Sequence, residues 1–191
     1  MNILQIGTET GDDPVYNFCS KNASKLRKVV LVEPCEAALE VAKKRYASIP
    51  CCDFVNAAVI DTDSDSVKIF LPEGKNFSQH CSLSEEHVLL HRHKKVVGRS
   101  VPAVRVNTLL SRFDGPIDRL YIDTEGFDGK IIRDIDFSLF DIKYIQFEFL
   151  HLERTHRPGK EKEKITSLLE NAGYDVQQVA EYDLGATKKA K

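Results

Sequence analysis

The sequence lacks several features that would assign it to a class at once. It has almost no net charge: a formal value of -2 over 191 residues gives no broad field for capturing nucleic acid, and an anionic partner would need a local patch. No apolar run is long enough to cross a bilayer. The chain enters a strand-like run at Asn2, without the basic region and small-residue cleavage site of an export signal. It shows no internal repeat and no interdomain linker. Cysteine occurs five times, an odd count with Cys51 beside Cys52 and no framework spacing. These residues read as reduced thiols serving as small apolar side chains in a cytoplasm-like compartment. Neither a nucleic-acid nor a membrane partner is expected. What is present is ordinary for one compact soluble domain, with 42% hydrophobic and 29% charged residues.

β-rich runs alternate with helical patterns, the order that builds a mostly parallel sheet through crossover units. Residues 2–6 read as the first strand. Asp13-Pro14 then reads as a helix start, with Asp13 accepting orphan amides and proline at the first helical position, for a helix over 14–22. Residues 28–32 form the second strand, and Ala38, Leu39, Ala42 and Tyr46 follow at helical spacing. Residues 54–60 read as a third strand and 66–71 as a short antiparallel addition. Residues 72–98 are polar, histidine-rich and weakly periodic, and read as a long loop with some helix. A segment over 104–113 starts extended and ends helical. Strands follow at 119–123, 144–149 and 174–179, with helices at 126–134 and 160–172. The domain spans 1–184, the final reversed strand is confined to about 181–184 or absent, and the small, basic stretch 185–191 is expected to fray.

In an open α/β sheet ligands bind at the carboxyl ends of the strands. Polar and acidic residues recur there: Gly7-Thr8-Glu9-Thr10-Gly11-Asp12-Asp13 after the first strand, Glu33-Pro34 after the second, Asn56-Ala57 after the third, Asp123-Thr124-Glu125-Gly126 after the fourth and Glu148 at the end of the fifth. A glycine turn followed by an acid after the second strand suits an adenosine-containing cofactor, because the acid can accept hydrogen bonds from both ribose hydroxyls. Glu33 is that acid. The glycine loop carries Glu9, Asp12 and Asp13, which repel a pyrophosphate and suit a ligand bearing an ammonium and a sulfonium. The competing reading makes Asp12 and Asp13 a helix cap and Glu33 a solvated strand-end charge.

The sequence resembles the FkbM-type S-adenosylmethionine-dependent methyltransferases. The likeness runs through Leu4-Gln5-Ile6-Gly7 with the later Asp13-Pro14, Val32-Glu33-Pro34, Asn56-Ala57-Ala58-Val59, Ser82-Leu83, Val101-Pro102 before Thr108-Leu109, and Ile122-Asp123-Thr124-Glu125-Gly126-Phe127. It implies a Rossmann-like class I methyltransferase fold, an α/β sheet with helices on both faces, and methyl transfer to an oxygen of a sugar or other small hydroxylated acceptor. Gly7, Thr8, Glu9, Asp13, Glu33, Pro34, Asn56, Ala57 and Asp123 are the expected cofactor residues. Many relatives carry an acid in place of Gln5 and an Asn-x-Gly turn in place of Glu9-Thr10-Gly11. Those departures motivate a second reading, a catalytically inactive module that keeps the fold.

Methyl transfer from a sulfonium needs donor and acceptor in line and a proton removed from the attacking hydroxyl. Asp123 ranks first as base or cofactor-side acceptor, then Glu125 and Glu148; His151, just beyond a strand end, is the better placed of the histidines. Four others cluster at His80, His87, His91 and His93, and His156 follows later. His87 and His91 share a helix face if that segment is helical, which permits a metal pair. Val88, however, stands where a zincin motif needs glutamate, and no cysteine pair flanks the cluster, so the expectation is no metal and solvated loop histidines. The charged run from Arg154 to Lys164 reads as a solvated face, with a substrate phosphate handle as the alternative.

Overall fold

A computed structural model describes residues 1–49, 51–152 and 159–190. Its main sheet has seven strands: β1 (Asn2–Ile6), β2 (Lys28–Val32), β3 (Cys52–Val55), β7 (Arg119–Ile122), β8 (Tyr144–Glu148), β9 (Tyr174–Gln178) and β10 (Asp183–Lys188). They lie in the order β3-β2-β1-β7-β8-β10-β9, all parallel from β3 to β8, with β10 antiparallel to both of its neighbours. Order reverses between β1 and β7, the switch point where ligands gather in such sheets. A second sheet, β4-β6-β5, comprises β4 (Ala58–Ile60), β5 (Ser66–Pro72) and β6 (Val96–Arg105).

Side chains alternate across the main sheet, so β1, β2 and β7 feed two cores. Leu4, Ile6, Val30, Val32, Leu120 and Ile122 join a large cluster with Val106 and Leu109 of α4 (Val106–Leu110), Ile131 and Ile132 of α5 (Asp128–Asp134), and Ile165 and Leu169 of α6 (Lys160–Asn171). Ile3, Val29 and Leu31 face the other way, against Val15 and Cys19 of α1 (Pro14–Lys21) and Tyr46 and Ile49, which follow α2 (Glu36–Arg45). Helices therefore cover both faces, as expected. All five residues of β1 are buried, the mark of a strand shielded on both sides. Asp13 caps α1 through its side chain, accepting from Val15 N at 2.7 Å and Tyr16 N at 3.0 Å, with Pro14 in the first turn.

Three expectations are corrected. Residues 54–60 are not one strand: the chain breaks at Asn56, whose Nδ2 donates to the carbonyls of Glu33 and Pro34 at 2.9 and 3.0 Å, and β4 leaves to pair with β6. Residues 72–98 are more ordered than a long loop, because α3 (Glu85–Leu90) and the start of β6 take about a third of them and Ser82 exchanges backbone hydrogen bonds with Phe70. The stretch from 185 does not fray up to residue 188, since β10 is inserted between β8 and β9 with Leu184 and Ala186 buried. Gly185 is small for a packing reason: a Cβ there would come within 2.7 Å of Tyr144 Oη and of Val179.

Candidate active site

Strand ends β1, β2 and β7 surround a cavity of about 120 Å³. Gly7, Glu9, Glu33, Pro34, Ala57, Asp123, Thr124 and Glu125 line it, together with Ala58, Val59, Ile69 and residues of the segment after β5, namely Ser78, Gln79, Cys81, Ser82 and Leu83. Six of the nine expected cofactor residues thus share one wall system. Thr8 and Asp13 line a neighbouring cavity instead, and Asn56 is occupied at the strand break described above. Asp13 is held in place: besides capping α1 it accepts Gln5 Nε2 at 2.7 Å. Val59, Ile69 and Leu83 form an apolar wall; Val59 and Leu83 stand in blocks that carry the family likeness, but nothing local marked them as lining a site.

Gly7 is required by close approach. Its φ is +83° and a Cβ would lie 1.6 Å from the Asp123 carbonyl oxygen, so only glycine lets β1 end against β7 here. Glu33 is not the solvated charge of the competing reading but 6% exposed. Its Oε2 accepts Glu9 N and its Oε1 accepts Cys35 N, both at 2.9 Å. Burial nevertheless pushes it up to about 7, those two amides pulling the other way. Glu9, with a left-handed φ of 47°, is raised by burial and then by the charges of Glu125, Asp13 and Asp12. Asp123 is walled closely by protein yet open to cavity solvent. Lost hydration, then the charges of Asp128, Glu125 and Glu148, raise it well above the usual carboxylate range. Among the described residues that line the cavity, four are carboxylates and none is a lysine or arginine.

Beyond Glu125 lies a second set of groups. Glu125 also has a left-handed φ, 53°, and its carbonyl accepts Ser82 Oγ at 2.8 Å. Its Oε2 lies 2.7 Å from His87 Nε2, 3.8 Å from His91 Nε2 and 3.5 Å from His151 Nδ1. His151 Nδ1 is 2.7 Å from Glu148 Oε2. Burial lowers His151, but the hydrogen bond to Glu148 and the charges of Glu148, Glu125 and Asp128 outweigh it, so the ring holds its proton more tightly than usual. His91, stacked on His80 at 3.8 Å between centroids, is pushed down to about 4 by burial and then by neighbouring His80. The expectation of solvated histidines is thereby corrected: His87 is wholly buried and His151 nearly so. Burial of His87 was not legible because the segment carrying it has no clear period. His156, Arg154 and Arg157 lie outside the described residues. Of the remaining basic run, Lys164 pairs with Glu161 at 2.7 Å and Lys162 sits 3.7 Å over the Phe149 ring, as on an ordinary charged face.

All five cysteines are free thiols, with Cys35 and Cys81 sulfurs 3.5 Å apart beside the cavity. Among the described residues, no helix is long and apolar enough to cross a membrane.

Comparison with known proteins accords with this geometry. No curated protein matches the chain by sequence. Among solved structures, the fold is similar to a methyltransferase FkbM from Methylobacillus flagellatus KT, at a TM-score of 0.55 and 11% identity over 97% of this chain and 43% of that one. It is also similar to fibrillarin in a complex with Nop5p, at 0.54 and 9% over 99% and 72%. An S-adenosylhomocysteine-bound methyltransferase from Podospora anserina gives 0.54 and 10% over 99% and 72%. At these identities the likeness carries the fold, that of the class I methyltransferases, and the chain spans less than half of the FkbM relative. The sequence itself carries more: the family model of the methyltransferase FkbM domain matches residues 5–176. The chain belongs to the methyltransferase FkbM domain family, whose cofactor is S-adenosylmethionine.

Proposed function

We propose that this chain transfers the methyl group of S-adenosylmethionine to an oxygen of a small hydroxylated acceptor such as a sugar. The observation that carries the reading is the gathering of the carboxyls of Glu9, Glu33 and Asp123, with no lysine or arginine among the described lining residues, around a cavity with one apolar wall. A cofactor with an adenine ring, two ribose hydroxyls, an ammonium and a sulfonium complements each part. Glu33 accepts the amides of Glu9 and Cys35, and its remaining acceptor capacity serves the ribose hydroxyls. Val59, Ile69 and Leu83 shelter the base, and Glu9 and Asp123 answer the cationic end. The methyl group then points toward the β7–β8 side. There Asp123 takes the acceptor's hydroxyl proton while the oxygen attacks the methyl carbon and the carbon–sulfur bond breaks.

The test is release of S-adenosylhomocysteine from S-adenosylmethionine with a panel of sugars and hydroxylated small molecules. Acceptor-dependent release with the methyl group recovered on oxygen is expected. Tight cofactor binding with no transfer to any member of the panel would favour a non-catalytic module.

A further inference from the structure

We infer that His87, His91, His151 and Glu125 bind a divalent transition-metal cation of the zinc class at the acceptor side of the cleft. One ligand atom from each lies within 4.8 Å of the others. For bonds of the length zinc makes to nitrogen and carboxylate oxygen, the edge of a ligand tetrahedron is about 3.3 Å. Here His87 Nε2 and His91 Nε2 are 3.2 Å apart, and Glu125 Oε2 lies 3.5 Å from His151 Nδ1 and 3.8 Å from His91 Nε2. The 2.7 Å contact from His87 Nε2 to Glu125 Oε2 is shorter, as a direct hydrogen bond in that position must be.

Three segments far apart in sequence build the set. Helix α3 supplies His87 and its C-terminal cap supplies His91 one turn on, and the left-handed turn after β7 throws the Glu125 side chain toward them. His151 follows β8, where Gly126 makes room: a Cβ on it would lie 3.1 Å from the His151 carbonyl. Glu148 Oε2 lies 2.7 Å from that same His151 Nδ1, so the cation takes this nitrogen in place of the hydrogen bond and Glu148 stands beside it as a further carboxylate. Three imidazoles thus converge on one carboxylate with their nitrogens at the spacing a cation's ligands take. A mixed imidazole and carboxylate set selects zinc, or its cobalt and nickel analogues, over magnesium or calcium, which take oxygen ligands.

The role of the ion rests on the proposed methyl transfer. Glu125 is both a ligand and a wall of the cavity, so a hydroxyl on the cation would stand beside the methyl group with its acidity raised. Its proton goes to Asp123, the new carbon–oxygen bond forms as the carbon–sulfur bond breaks, and S-adenosylhomocysteine leaves.

The site is tested without cofactor or acceptor, so its failure is separate from that of the methyl-transfer reading. Chelator-treated protein is titrated with zinc by calorimetry and with cobalt(II) by visible absorption. About one equivalent should bind, with cobalt bands of a four- or five-coordinate nitrogen and oxygen site. His91→Ala and Glu125→Gln should each weaken binding at least tenfold at unchanged circular dichroism, and His93→Ala, outside the set, should not. Because His91 packs on His80, His91→Gln, closer in volume, is the second variant and should also lose tenfold. Absence of stoichiometric binding, six-coordinate cobalt bands, folded ligand variants that bind as tightly as the parent, or equal loss in His93→Ala would overturn the assignment.

Discussion

On the β1–β2 side of the cleft, the working groups sit within a few residues of two adjacent strand ends, and their geometry is set by local backbone. Gly7 turns the chain, Glu9 N reaches Glu33, and Cys35 N takes the other carboxylate oxygen. On the β7–β8 side, Glu125 meets His87, His91 and His151, which come from a short helix after β5 and from the turn after β8. The first side is fixed by hydrogen bonds between two adjacent strand ends, with Gly7 pressed against the end of β7. The second exists only once the whole fold has closed, so its precision depends on long-range packing.

The two sides should therefore break differently. Gly7→Ala is expected to have the largest effect, because the new Cβ would sit 1.6 Å from a strand-end carbonyl that cannot move without undoing the β1–β7 pairing. Cofactor binding should be abolished and stability should fall by about 4 kcal/mol or more, read by urea denaturation. Gly126→Ala, whose nearest contact is 3.1 Å, should cost about 1–2 kcal/mol, shifting the histidine cluster while cofactor binding survives. Gly74→Ala, at φ +78° with nothing within 4 Å, isolates the backbone cost alone at about 1 kcal/mol. Equal losses in all three would remove the distinction between local and long-range assembly.

Asp123 stands where the sides meet, lining both the main cavity and its neighbour. Asp123→Asn keeps the shape but cannot take a proton. Turnover should fall about 10²–10⁴-fold with the melting temperature nearly unchanged. Loss of cofactor affinity alone, with the turnover of saturated enzyme intact, would make Asp123 an ammonium acceptor and not a base.

Glu33→Ala belongs wholly to the cofactor side. It removes an acceptor of two hydroxyl hydrogen bonds, expected to cost about 2–3 kcal/mol of S-adenosylmethionine affinity in calorimetry. Unchanged affinity would take Glu33 out of the site.

The same contrast governs what the sequence revealed. Glycine turns, a helix cap and acids after strands are short-range signals, so β1, β2, α1, Gly7 and Glu33 were legible from neighbours alone. The histidine spacing of α3 was visible too, but its burial was not, because nothing local says that β7 and β8 end against that helix. Gly185 and Ala186 misled for a related reason. Small residues suit a frayed end and a crowded strand equally, and only the position of Tyr144 on the neighbouring strand decides between them. Asn56 read as a strand-end ligand because its carbonyl partners, Glu33 and Pro34, become neighbours only through β2–β3 pairing.

The smallest expected effect is the pH dependence of the cofactor side, and it follows from the burial of Glu33. In the free protein its carboxyl is pushed up to about 7 from 4.5, so below pH 7 it is largely protonated. Ribose hydroxyls donate to the ionised form, and binding must then expel the proton. Affinity for S-adenosylmethionine should fall about fivefold from pH 7 to pH 6, some 1 kcal/mol, approach tenfold per pH unit below that, and be flat above pH 8. Stability of the free protein runs the other way. A raised carboxyl binds protons more tightly folded than unfolded, so its contribution is fully present below 4.5 and is lost as pH rises through 7. Asp128, also raised to about 7 by burial, adds a slope of the same sign, and the raised Glu9 meets the same cofactor. The Glu33 share is therefore the difference between the parent and Glu33→Gln, measured as melting temperature against pH with and without S-adenosylhomocysteine. The variant should show a shallower slope and bind the ligand with weaker pH dependence. Parallel curves for parent and variant would place the titrating group elsewhere in the cleft.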